Sequence, residues 1–234
     1  MLFTLILRTG AVPKQWLIGA MRCVYKKNCP TVFTNYRGVV PTSHLGKLFE
    51  RVLLCRLLGI AESDELQAVA NAGIDTRSQI HLVYDLRLIS DIWVLTIDIT
   101  RGFPSTSRDL AVAALRDAGI GGRLLRAIIG LIFGTSVTIG IRRGVDTNRV
   151  PLGVGLLEGA VLSPALFAFV TNSLIAALRA SGLGVRIDGV HVPAVMLMDD
   201  LAILATLSPR PRCTAPQSVE LSTPSVFACR ECGR

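Results

Sequence analysis

The chain has 234 residues, half of them hydrophobic, with 25 Lys and Arg against 17 Asp and Glu, which gives a net charge of +8. This apolar content is enough for one large domain or two small ones, and it excludes a largely disordered protein. The excess of positive charge favours polyanionic partners such as nucleic acid, although a solvated basic surface would give the same count.

We expect neither a secretory signal nor a membrane span. The apolar run from Leu2 to Leu7 is too short for a signal, and no positive residue precedes it. The longest apolar stretch, residues 124–141, contains Arg126 and three glycines, which favours a buried helix followed by a strand. The prediction is an intracellular chain with free thiols and no membrane association.

The first part of the chain, to about residue 90, is mixed and loop-rich. Apolar residues spaced three and four apart over residues 45–57 predict a helix that Thr42 or Ser43 would cap. A second helix is expected over residues 79–88.

The middle of the chain predicts a strand followed by two helices and another strand. Residues 93–97 form a short apolar run that ends at Asp98. Serine caps and glycine stops place helices at about 105–119 and 122–134. Residues 136–141 alternate between apolar and polar as a strand does.

The last third begins with a long helix that Ser163 would cap, with Pro164 in its first turn. Asp188 and Gly189, between two apolar triplets, predict a β-hairpin. Together these elements predict an α+β fold with a small antiparallel sheet that carries helices on one face.

Two adjacent carboxylates, Asp199 and Asp200, stand between the apolar runs 194–198 and 201–205. We expect two short strands with both acids at the turn. Neighbouring anions raise each other's pKa, and a divalent cation relieves the repulsion. Together with Asp98 they can hold two cations ~3.5–4 Å apart, as in phosphoryl transfer. Asp is also an ordinary turn residue, so the dipeptide alone leaves both interpretations open.

Five motifs follow one another in an order and spacing that resemble the reverse transcriptase of non-LTR retrotransposons. They are residues 10–16 with Tyr25-Lys26-Lys27, Asn35-Tyr36-Arg37 with residues 45–51, residues 98–103, residues 155–167, and residues 197–200. The resemblance covers the chain from Leu2 to about Thr206. It implies a polymerase palm-type antiparallel sheet with helices on one face and part of the fingers.

The resemblance implies transfer of a nucleotide from a dNTP to a primer 3′-hydroxyl on an RNA template. The implied partners are the RNA template, a DNA primer and the dNTP, and the implied cofactor is Mg²⁺ or Mn²⁺. Asp98 and Asp199 would be metal ligands, with Asp200 in a lesser or structural role and the backbone carbonyl of Ile99 as a further ligand. An all-oxygen site suits Mg²⁺. The resemblance is compatible with a nuclear location.

The same resemblance assigns residues to the nucleotide. Arg37 and Lys26 would contact the triphosphate, for which Arg offers a bidentate fork. Phe103 would lie under the incoming sugar and exclude a 2′-hydroxyl, and Gly159 would let the backbone approach. The alternatives are two solvated cations, a core Phe and a loop Gly.

The chain also departs from the family pattern. Glu158 occupies the position of a family Gln, and its negative charge should weaken triphosphate binding. Arg77, in a shortened stretch, stands where the family has a template-contacting basic loop. Leu197 replaces the usual aromatic residue before the two acids, and Pro104 stands where many relatives have Asp.

We expect a fingers-like part over residues 1–90, a palm with the catalytic motifs over 91–207, and a disordered tail over 208–234. The residues after Asp200 do not resemble a thumb, so we expect the thumb to be absent, the chain to be a truncated retroelement piece, and its activity to be weak or missing. The alternatives are a catalytically inactive relic that binds nucleic acid and a non-catalytic globular protein.

Overall fold

The computed structural model describes residues 1–32, 35–61, 64, 66–67, 76–89, 91–142, 145–187 and 189–206. The predicted disordered tail over 208–234 lies outside these ranges. Two compact units are present. The first comprises residues 1–62 and 103–170, and the second comprises residues 63–102 and 171–234. The proposed division into fingers and palm is a division by function, and it stays a prediction.

The helices and strands are numbered in chain order. The helices are α1 (Leu2–Thr9), α2 (His44–Leu58), α3 (Thr76–Ile89), α4 (Gly102–Ser105), α5 (Arg108–Asp117), α6 (Gly122–Gly134) and α7 (Ser163–Ala180). The strands are β1 (Ile18–Tyr25), β2 (Tyr36–Val39), β3 (Ile92–Asp98), β4 (Ser136–Arg142), β5 (Val145–Asp146), β6 (Val150–Pro151), β7 (Val185–Ile187), β8 (Val190–Val192), β9 (Ala194–Leu197) and β10 (Asp200–Thr206).

The first unit contains a mixed five-stranded sheet in the order β2-β1-β4-β5, with β6 also paired to β4. Strand β1 runs antiparallel to β2 and parallel to β4. The sequence predicted β4 but neither β1 nor β2. Strand β1 is exposed or half-buried at nearly every position, so its sequence lacks the strict alternation that predicts a strand.

In the first unit, helices α2, α5 and α6 follow the sequence prediction, whereas α1 was not predicted. Helix α2 begins after Ser43, whose Oγ accepts a hydrogen bond from the Gly46 N–H at 3.4 Å. Its Phe49 is fully buried, with its ring centroid 5.1 Å from that of Phe3. Helix α5 begins after Ser107, whose Oγ accepts from the Leu110 N–H at 3.3 Å. Helix α6 has the predicted bounds.

The second unit contains an antiparallel three-stranded sheet in the order β3-β10-β9 and a separate hairpin of β7 and β8. The predicted hairpin around Gly189 is confirmed, and Gly189 has a φ of +83°. Helix α3 extends the predicted helix by a few residues at its start. The α+β class expected from the sequence is confirmed.

Helix α7 is the one helix in the described part of the chain that is long and apolar enough to cross a membrane, judged by length and composition alone. A core helix meets the same criteria, and 44% of this helix is buried within the protein. Arg179 near its end pairs with Asp64, with Nη1 and Oδ2 2.6 Å apart. These features are typical of a helix that packs in a protein core.

Candidate active site

The predicted carboxylates lie at one end of the sheet in the second unit. Strands β3 and β10 pair antiparallel with Asp98 directly opposite Asp200. Because cross-strand partners share a face of the sheet, the two side chains project from the same face. Both side chains are exposed. The register therefore places two carboxylates next to each other in solvent.

Asp199 lies in the turn that precedes β10. Leu197 pairs with Asp200, so the two turn residues are Met198 and Asp199. The Asp199 carbonyl accepts a hydrogen bond from the Ile99 N–H at 2.9 Å. The prediction that both acids occupy the turn is thus wrong for Asp200, which begins β10 because its backbone pairs with strands on both sides.

The turn has a strained backbone at Met198, whose φ is +55°. A two-residue hairpin turn with positive φ at its first residue normally has Gly there, because a side chain is disfavoured in this conformation. Strain of this kind persists only where the surroundings fix the backbone, and it clusters at functional sites. The surrounding structure therefore fixes the backbone conformation of this turn.

The donors at this end of the sheet fit a hard divalent cation. No group of three His, Cys, Asp or Glu side chains close enough to hold a metal occurs within the described ranges. Mg²⁺ usually binds through one or two carboxylates together with waters and substrate phosphates, and seldom in an all-protein cage. Two adjacent exposed carboxylates at the paired end of β3 and β10 are consistent with that mode of binding.

Arg37 and Glu158, both in the first unit, form an ion pair with Nε and Oε2 3.5 Å apart. The Arg37 side chain is 56% exposed and that of Glu158 is 20% exposed. The Glu158 carbonyl also accepts a hydrogen bond from the Val40 N–H at 3.0 Å. The Glu158 carboxylate therefore interacts directly with Arg37, the side chain predicted to contact the triphosphate.

The backbone conformation at Gly159 requires a glycine. Its φ is +105°, a conformation that L side chains rarely adopt, and an added Cβ would lie 3.2 Å from the Val40 carbonyl oxygen. The backbone of this chain therefore explains the glycine whether or not a nucleotide approaches it.

Phe103 is half-buried, and its ring centroid lies 5.2 Å from that of Phe167 on α7. Its carbonyl accepts a hydrogen bond from the Leu156 N–H at 2.8 Å. The ring thus packs partly in the core of the first unit and keeps some exposed surface.

The remaining predicted contacts are exposed cations. Lys26 follows β1, and its N–H donates to the Asn35 carbonyl at 2.9 Å. Arg77 lies in the first turn of α3 and not in a loop. Residues 73–75, the start of the predicted basic loop, lie outside the described residues.

Sequence reasoning missed a buried acid, Glu50 on α2. Its Oε2 accepts hydrogen bonds from the N–H groups of Val161 and Leu162 at 2.6 and 3.1 Å. Burial raises the pKa of the Glu50 carboxyl, while these hydrogen bonds and the nearby Lys47 act in the opposite direction. Glu50 thereby fixes the segment that leads into α7. Its position within the motif at residues 45–51 was the sequence feature that could have identified it.

Arg108 at the start of α5 was also missed. It is buried, and its Nε donates to the Gly155 carbonyl at 2.9 Å while Nη1 donates to the Leu152 carbonyl. Burial lowers the pKa of this guanidinium. Arg108 therefore anchors the loop that leads to Glu158.

The chain resembles known proteins in sequence and in fold. Residues 24–217 match the family described as reverse transcriptase (RNA-dependent DNA polymerase). Over 202 residues it is 27% identical to the retrovirus-related Pol polyprotein from type-1 retrotransposable element R2 of Popillia japonica, with 83% of this chain and 28% of that polyprotein covered. The chain thus spans less than a third of this relative.

The solved structures that it resembles include two telomerases in complex with a fragment of telomeric RNA. The telomerase of Candida tropicalis aligns with a TM-score of 0.58 and 9% identity, over 84% of this chain and 37% of that chain. The telomerase of Candida albicans aligns with a TM-score of 0.56 and 11% identity, over 83% and 37%. At such low identity these likenesses show the fold alone. The family match over most of the sequence shows that the chain belongs to the reverse transcriptase family, and the non-LTR retrotransposon type expected from its motifs is confirmed.

Proposed function

We propose that this chain carries the nucleotidyl-transfer site of an RNA-directed DNA polymerase, which joins a dNTP to the 3′-hydroxyl of a primer on an RNA template. The observation that carries the proposal is the register of β3 and β10, which sets Asp98 opposite Asp200. The hydrogen bond between the Ile99 N–H and the Asp199 carbonyl supports it, because it ties the turn to the end of β3.

Asp98 and Asp199 would hold Mg²⁺ or Mn²⁺, with Asp200 beside them and the Ile99 carbonyl as a further oxygen donor. When bound, such cations lower the pKa of an attacking hydroxyl and neutralise charge on a leaving pyrophosphate. The contribution of the protein is to present carboxylates on a paired sheet end whose backbone is fixed before the substrate arrives.

The nucleotide contacts are proposed from exposed groups of the first unit. Arg37 and Lys26 would bind the triphosphate through charge-assisted hydrogen bonds. Phe103 would present the exposed part of its ring to the sugar, and Gly159 would let the backbone approach the nucleotide. Arg77, in the second unit, would contact a phosphate of the template.

The test is primer extension on an RNA template with Mg²⁺ or Mn²⁺, in the chain as it stands. We expect incorporation, even if weak, to fall at least about 100-fold in Asp98→Ala and Asp199→Ala, because each change removes a ligand at the reacting centre. Asp85→Asn, which changes an exposed carboxylate on α3, is the matched control and should leave incorporation unchanged.

Two measurements separate the alternatives. Mn²⁺ binding that the double change Asp98→Ala and Asp199→Ala abolishes would exclude a globular protein whose acids serve only as turn residues. Incorporation no greater than that of Asp199→Ala, together with salt-sensitive RNA binding, would leave a nucleic-acid-binding relic and overturn the enzymatic proposal.

A further inference from the structure

Strand β9 is an edge strand of its sheet, yet its outward backbone groups have partners. The Met196 N–H donates to the Leu66 carbonyl at 3.0 Å. The Met196 carbonyl accepts a hydrogen bond from Gln79 Nε2 at 2.9 Å. In an antiparallel ladder alternate residues point these groups away from the neighbouring strand, where they would otherwise be left unpaired.

One side-chain amide joins three parts of the second unit here. Gln79 Nε2 also donates to the Leu66 carbonyl, at 3.1 Å. The Gln79 side chain is buried, with the residue 8% exposed, and it projects from helix α3. Its two N–H donors therefore link α3 to Leu66 and to β9. They act beside the parallel backbone bridge that Gln67 forms with Met196 on the same edge of the strand.

The position of β9 determines the position of the acidic turn. Met196 precedes the turn residue Asp199 by three positions, and β9 is only four residues long. The strained φ of Met198 needs support from both sides of the turn. Strand β10 and the Ile99 N–H hold one side. The Gln79 amide, together with the backbone bridge between Gln67 and Met196, holds the strand that forms the other.

We propose that Gln79 is a positioning residue that fixes β9 and so holds the Met198–Asp199 turn against the end of β3. The inference rests on the proposed metal-dependent nucleotidyl transfer. Gln79 itself contacts neither a substrate nor a metal. Groups that hydrogen-bond metal ligands directly orient them, and their loss typically weakens metal binding by roughly 10- to 100-fold. Gln79 acts one step further away, through β9, so we expect an effect at the low end of that range.

Gln67 provides a matched control in the same unit. Gln67 is fully buried. Its Nε2 donates to Thr171 Oγ1 at 2.5 Å and to Met196 Sδ at 3.3 Å. These two contacts are with side chains and not with the β9 backbone. Gln67→Met and Gln79→Met therefore remove similar buried amides. Of the two amides, the Gln79 amide bonds the Met196 backbone carbonyl, whereas the Gln67 amide bonds the Met196 side chain.

The experiment measures Mn²⁺ binding by electron paramagnetic resonance and hydrogen exchange of the Ile99 amide, in wild type, Gln79→Met and Gln67→Met, with Asp98→Ala defining the site. We expect Gln79→Met to raise the Kd for Mn²⁺ about tenfold and to speed Ile99 exchange, since that N–H bonds the Asp199 carbonyl. Gln67→Met should change neither, even if it lowers the melting temperature equally.

The outcomes distinguish a failure of the inference about Gln79 from a failure of the proposed nucleotidyl-transfer function. If wild type shows no Asp98-dependent Mn²⁺ binding, the proposed function fails and the inference falls with it. If wild type binds Mn²⁺ and Gln79→Met binds it equally well, or no worse than Gln67→Met, the inference alone is overturned. Should Gln79→Met not fold, Gln79→Asn, whose shorter stem cannot reach both carbonyls, takes its place under the same criteria.

Discussion

Arg37 and Glu158 form an ion pair. The proposed mechanism assigns the guanidinium of Arg37 to the triphosphate. The sequence predicted that Glu158 would repel a triphosphate through its charge. Under the proposed function the ion pair adds a second effect, because the carboxylate would also compete with the triphosphate for Arg37. Both effects would act in the same direction and weaken nucleotide binding.

Glu158→Gln should therefore strengthen dNTP binding. A partly exposed ion pair contributes about 0.2–1 kcal/mol, so we expect the Kd of the dNTP to fall about 1.4- to fivefold, measured by fluorescence titration. Asp146→Asn is the matched control, because it breaks the Arg22–Asp146 pair, whose atoms lie 2.7 Å apart in the same unit. An unchanged Kd in Glu158→Gln would count against the placement of this residue near the triphosphate.

Glu50 is a buried carboxyl whose pKa is raised by burial. In the pH range between its unfolded and folded pKa values, the folded state binds more protons than the unfolded state. The contribution of Glu50 to stability is therefore fully present at low pH and is lost as pH rises through the folded pKa.

Glu50→Gln should remove this pH dependence at a single site. The amide oxygen can still accept the hydrogen bonds from Val161 and Leu162, and it carries no charge to bury. As pH rises from about 4 to 7, we expect wild type to lose stability relative to Glu50→Gln, measured by urea unfolding at several pH values. A stability difference that stays constant over this range would contradict the raised pKa.

At the scale of elements, the loop before α7 is held by backbone bonds to the segment around α4. The Gly155 N–H donates to the Thr106 carbonyl at 3.1 Å, and the Leu156 N–H donates to the Phe103 carbonyl. Gly155 has a φ of +90°, and an added Cβ would lie 2.5 Å from the Pro104 carbonyl oxygen. This close approach requires a glycine, and it sets the path of the loop toward Glu158.

Gly155→Ala should destabilise the first unit by about 1–3 kcal/mol, since it combines an unfavourable φ with a backbone clash. Gly153→Ala is the matched control two residues away, because its Cβ would meet nothing within 4 Å and its φ is not positive. It should change stability by less than about 1 kcal/mol. Equal unfolding midpoints for the two variants in urea would show that the loop does not pack as described.

At the scale of the whole molecule, the residues of the proposed chemistry are divided between the two compact units. Asp98, Asp199, Asp200 and Arg77 belong to the second unit, and the predicted nucleotide contacts Lys26, Arg37, Phe103, Glu158 and Gly159 belong to the first. The net charge of +8 favours nucleic acid partners for the chain as a whole. The family match spans residues of both units.

The sequence by itself determined the local elements and the family. Helices α2, α5, α6 and α7 follow from apolar spacing, caps and glycine stops, which are interactions within a few residues. Strands β1 and β2 were missed because their exposed positions blur the alternation. The order of five short motifs was enough to identify a reverse transcriptase without any tertiary information.

Only the tertiary structure decided how distant residues meet. The register of Asp98 with Asp200 depends on which strands pair. The hydrogen bonds of Glu50 to Val161 and of Gln79 to Met196 join residues 111 and 117 positions apart. Sequence periodicity reports which residues share a face of one element, whereas these contacts depend on how elements pack together. A buried Gln or Glu therefore gains its role only from the backbone groups that the fold brings to it.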